Sequence, residues 1–121
     1  MSARKSATNT VLLDAMEIAA TGAQNPTSFF PPYNKNPRFQ LLVSAFAGVG
    51  PVELKIQHCE IADQWTDLTA ANIMVEADGL IAIRTEDLVT QFPFTRVRAN
   101  IVSLGGATLT ATLVGVCDKR A

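Results

Sequence analysis

The chain has 121 residues, 48% of them hydrophobic and 17% charged, with ten basic residues against eleven acidic ones for a net charge of −1. A chain of this size exposes ~19,000 Å² unfolded and ~6,400 Å² folded, which allows one real core without metal or disulfide staples. The composition excludes global disorder, no apolar run approaches the ~18 residues of a membrane helix, and the balanced charge shows no general nucleic-acid footprint.

Residues 1–9, MSARKSATN, are small and polar and read as an N-terminal arm carrying the basic pair Arg4 and Lys5. The pair followed by Val11-Leu12-Leu13 imitates a secretory signal, but Asp14 and Glu17 interrupt the apolar stretch, so export is not expected. Residues 10–20 fit either a short helix or a strand, because Ala, Leu, Met and Glu favour helix while the apolar positions follow neither period cleanly. Residues 21–37 hold four of the six prolines and no period, which predicts a long surface loop.

From Phe39 the pattern turns strongly β. Phe39, Leu41, Val43 and Ala45 share one face, with Leu42 and Phe46 on the other, so both faces read as partly covered. Gly48-Val49-Gly50-Pro51 is a turn, and Val52 to His58 alternates without error, with Val52, Leu54 and Ile56 inward. Leu80 to Ile83 after Asp78-Gly79 reads as a buried strand. Thr95 to Ile101 and Ala107 to Val116 both alternate, and Gly105-Gly106 between them predicts an antiparallel hairpin. No helical stripe competes after residue 20. The reading is an all-β, antiparallel β-sandwich, jelly-roll-like, with residues 10–121 as a single domain behind the arm.

Chemistry is sparse. His58 is the only histidine, and His58, Cys59 and Glu60 alternate faces, so the three are not expected to grip one ion. Neither a nucleophile elbow nor a phosphate loop opening a helix is present, and Glu86-Asp87 is an ordinary exposed acid pair. No catalytic residue, cofactor or metal is expected. Cys59 and Cys117 are expected reduced and buried. Between Ser6 and Asp118 six basic residues face eleven acids, a formal −5, and seven of those acids lie from Glu60 to Asp87. That stretch reads as a solvated face or as a dock for an electropositive partner. The candidate interface residues are Arg4, Lys5, the Pro-bracketed aromatics Phe29, Phe30 and Tyr33, and Trp65. Proline and aromatic side chains lose little conformational entropy on docking, and Trp is enriched where surfaces meet.

Taken in order, Leu12-Leu13-Asp14-Ala15, the Thr-Gly turn, the strand Phe39 to Phe46, Val52-x-Leu54-x-Ile56-Gln57, Trp65-Thr66-Asp67-Leu68, Asp78-Gly79 and Arg96-Val97-Arg98-Ala99-Asn100-Ile101 resemble small virion proteins of tailed bacteriophages. The resemblance spans about residues 12 to 116 and is greatest to the jelly-roll capsid cement, or decoration, proteins. It implies a structural protein on the capsid exterior, made in the host bacterial cytoplasm. Its implied partners are the major capsid protein and itself, as a homodimer or trimer, with no nucleic acid and no membrane. The alternatives are a head-completion or tail structural protein, a carbohydrate-binding module stacking sugars on Trp65 and Tyr33, and a small enzyme relying on His58.

Overall fold

The computed structural model describes residues 6–24, 35–60, 64–90 and 96–119, with backbone alone at 6–8 and 119. Among the described residues nine strands appear in chain order: β1 (Ser6–Ile18), β2 (Gly22–Gln24), β3 (Lys35–Ala47), β4 (Val52–Cys59), β5 (Thr66–Asp67), β6 (Ile73–Val75), β7 (Gly79–Ile83), β8 (Arg96–Ser103) and β9 (Thr108–Lys119). One sheet runs β1-β9-β3-β7; the other runs β2-β8-β4-β5, with β6 also paired to β4. Every pairing between named strands is antiparallel. With β5 and β6 counted as one interrupted strand, the interleaved order of the two sheets is that of a jelly roll. The expected all-β sandwich is the observed architecture.

The core lies between the sheets because each long strand alternates and keeps its apolar half inward. Phe39, Leu41 and Val43 of β3 and Leu109, Ala111 and Leu113 of β9 form one wall. Val52, Leu54 and Ile56 of β4 and Val97, Ala99 and Ile101 of β8 form the other. All twelve are at most 2% exposed.

Residues 10–20, open between helix and strand, belong to β1. Their irregular pattern is a record of two register shifts against β9, one between Val11 and Leu13 and one between Leu13 and Met16. The first lets adjacent Leu12 and Leu13 both enter the core. At the second, Ala15 takes a positive φ of 46°, and its N–H donates to Thr112 Oγ1 at 3.1 Å. Strand β1 also starts earlier than the residue pattern suggests, since Ser6–Asn9, read as arm, pair with Lys119–Val116.

Three further expectations are corrected. Ala45 does not continue the inward row of β3: it is exposed with φ 52°, in a shift between Ser44 and Ala47. The N–H of Phe46 donates to Asp78 Oδ1 at 2.8 Å, and Phe46 packs half-buried against the core. Strand β7 is an edge strand, not a buried one; Ile83 is buried, but Leu80 is 62% exposed. Finally, β8 and β9 form no hairpin. Gly105-Gly106 carries the chain from one sheet to the other, with β8 between β2 and β4 and β9 between β1 and β3. Alternation marks a strand with one buried face but does not name its neighbour.

Candidate interaction surfaces

The two outer faces of the sandwich differ in kind. On β1-β9-β3-β7 the central rows, read across the register, are Val11, Val114, Gln40 and Ala82, then Thr112, Leu42 and Leu80. No charge falls in either row. Val11 is 57% exposed and Leu42 50%. Charges stand at its margins: Asp14 of β1, exposed in the register shift beside Thr112, the Arg38–Asp118 ion pair (3.2 Å) and Arg84 at one end, and Glu17 and Asp78 at the other. Leu42 was legible as facing away from the core, but a covered and a bare sheet face look alike in one strand's pattern.

The outer face of β2-β8-β4-β5 is a polar ladder. Arg98 Nε donates to Gln57 Oε1 at 2.9 Å, Gln57 Nε2 to Asp67 Oδ1 at 2.9 Å, and Lys55 Nζ to Asp67 Oδ2 at 3.0 Å. The Gln57 and Lys55 donors hold the Asp67 carboxyl below its usual pKa, because hydrogen bonds to the ionised form favour it. Trp65, just before β5, is half-buried at the edge of this ladder. The Arg98 guanidinium lies 4.1 Å from its ring centroid and the Arg96 guanidinium 5.2 Å. The indole that a sugar would stack on is therefore already engaged by cations.

The other candidate interface residues, Arg4, Lys5, Phe29, Phe30 and Tyr33, lie outside the described residues. The acidic stretch is partly consumed inside the fold: Asp67 by Lys55 and Gln57, Asp78 by Phe46, and Asp87 by the Arg84 N–H at 2.9 Å.

His58 Nδ1 sits 2.5 Å from Glu60 Oε2, a pairing of alternate residues on one side of the strand end. Among the described residues no group of three His, Cys, Asp or Glu side chains is placed to hold a metal ion. Cys59 and Cys117 are free thiols, both buried as expected. Burial pushes the Cys117 thiol pKa up, with the neighbouring Asp118 charge adding to it, which disfavours the reactive thiolate. Two shallow depressions of about 290 Å³ flank β7. Thr69, Asn72, Ile73 and Asp87 contribute to the first; Arg38, Gln40, Arg84 and Glu86 contribute to the second. Neither contains a histidine or a cysteine.

The chain is thus an antiparallel jelly-roll sandwich, with an apolar band across one outer face and a polar ladder on the other. No protein-family model matches it, and no curated protein or solved structure does either.

Proposed function

We propose that this protein is a phage capsid cement, or decoration, protein that binds the outer surface of the major capsid protein lattice and stabilises the shell. The observation that carries the reading is the apolar exterior band of β9-β3-β7 around Leu42 and Leu80, continued by Val11 of β1 and bordered there by Asp14. Large apolar side chains in water cost free energy that a partner surface recovers, at roughly 25 cal/mol for each Å² covered. The same band suits contact with further copies of the chain, as the homodimer or trimer that local symmetry axes of a shell require. A weak contact repeated at every lattice site becomes effectively permanent through multivalency.

Mechanically, the sandwich acts as a rigid block bridging neighbouring capsid subunits. Its shell location is the virion exterior, after synthesis in the host bacterial cytoplasm. The test is the copy number per particle, read by quantitative gel of purified virions, together with co-sedimentation of added protein with empty capsids. Hundreds of copies and saturable capsid binding support the reading. A few copies at one vertex point to a head-completion or tail protein, and absence from virions overturns both.

A further inference from the structure

Arg98, Gln57 and Asp67 stand side by side in register across β8, β4 and β5. The Gln57 amide lies between the two charges, its oxygen turned to Arg98 and its nitrogen to Asp67. With Lys55 on the second carboxylate oxygen, Asp67 has both oxygens engaged, and a neutral group separates it from the nearest guanidinium. Among the described residues, Arg98 is therefore a cation hydrogen-bonded to no carboxylate.

It is also held still. Nε is bonded to Gln57, and the guanidinium lies 4.1 Å from the Trp65 centroid, so rotation about the end of the side chain is restrained on two sides. The terminal nitrogens of Arg98 make no hydrogen bond to the described residues. A guanidinium offers its donors as a planar fork that matches a carboxylate or phosphate edge, and a fork fixed in advance loses less entropy on binding.

We propose that Arg98, clamped between Gln57 and Trp65, is a receptor for a carboxylate side chain of a protein partner that docks on the outer face of β2-β8-β4-β5. The surrounding charge selects a carboxylate. Asp67 stands ionised on the far side of Gln57, so a dianionic phosphate meets about twice the repulsion that a single carboxylate does. This inference goes beyond the capsid reading and does not need it, because its test uses the isolated full chain.

Trp65 is the only tryptophan and touches the receptor, so its emission reports occupancy. The probes are a blocked peptide with a single glutamate and inorganic phosphate, titrated separately at constant ionic strength, with the Arg98 Nε–H resonance followed by NMR in parallel. A saturable response to the peptide is expected in both signals. Arg98→Lys, which keeps the charge and loses the fork, should raise the half-saturation concentration at least fivefold. Arg84→Gln, which removes an exposed cation elsewhere, should change it less than twofold. Three results overturn the proposal: no saturable change in either signal, equal binding by Arg98→Lys, or half-saturation by phosphate at a lower concentration than by the peptide.

Discussion

At the scale of single residues, the turn glycines are set by close approach between two chain crossings. Gly48 lies in the β3–β4 connection with φ 106°, and a Cβ there would stand 2.4 Å from the Gly106 carbonyl oxygen. Gly105, in the β8–β9 connection, would place a Cβ 2.6 Å from the Pro51 oxygen. The two inter-sheet turns thus pack backbone to backbone, joined by the Gly50 N–H to the Gly105 carbonyl at 3.1 Å. Gly48→Ala should destabilise by about 2 kcal/mol or more, since both φ and space forbid the methyl, and urea unfolding measures it. Gly79→Ala provides a contrast, because its Cβ would meet open space and only the φ of 151° opposes it.

Asp67 has a pH signature. Its folded pKa is depressed by Gln57 and Lys55, so its contribution to stability is present above the unfolded carboxylate pKa of about 3.9 and is lost as pH falls through the folded value. The side chain is 42% exposed, which keeps that contribution within the 0–1 kcal/mol range of surface pairs. Asp67→Asn should therefore narrow its stability gap to the parent below about pH 4, measured by unfolding at stepped pH.

At the scale of elements, β4 and β1 do different work. Ile56 of β4 is fully buried and sits opposite Ala99 of β8, and its backbone N–H donates to the buried Thr69 hydroxyl at 3.2 Å. Ile56→Ala should cost roughly 2 to 5 kcal/mol, and a loss below about 1 kcal/mol would contradict the burial. Strand β1 closes one edge of its sheet by pairing with β9 from Ser6 onward. Deleting residues 1–9 removes the ladder opposite Lys119–Val116 and should lower Tm measurably below that of a chain lacking residues 1–5 alone. Equal Tm values for the two deletions would mean that Ser6–Asn9 add nothing to the sheet.

The shifts in β1 and β3 are themselves pinned by side chains. Thr112 takes the freed Ala15 N–H, and Asp78 takes that of Phe46. At the start of β3, Asn36 donates to Asp118 at 3.0 Å, and Arg38 reaches both the Asn36 carbonyl and Asp118. Bulges of this kind bend and twist long strands, which lets 13-residue strands wrap a small core and irregularises an edge against casual pairing.

At the scale of the whole molecule, the proposed function turns on which exterior is left to a partner. A charge placed in the middle of the apolar band faces desolvation in any complex that covers it. Leu42→Glu should therefore leave the far-UV circular dichroism and Tm of the isolated chain within a few degrees of the parent, while reducing capsid binding at least tenfold. Undiminished capsid binding by the folded variant would remove that band from the proposed docking surface. Self-association, followed by sedimentation equilibrium on the same variant, separates contact between copies from contact with the shell.

Local chemistry determined the all-β class and the places of β3, β4, β7, β8 and β9, because side-chain alternation and residue type are properties of short segments. The core rows of β4, β8 and β9 were legible for that reason, as was the burial of both cysteines. Which strand lies beside which was settled by packing between distant segments. Alternation carries no address, so Gly105-Gly106 looked like a hairpin and is a crossing between sheets. Bulges hid β1, and a sheet face bare to solvent could not be told from one covered by another layer. The pairing of Arg98 with Trp65 and Gln57 belongs to the same class, since it joins residues more than 30 positions apart that meet only when β8 and β5 take their places on either side of β4.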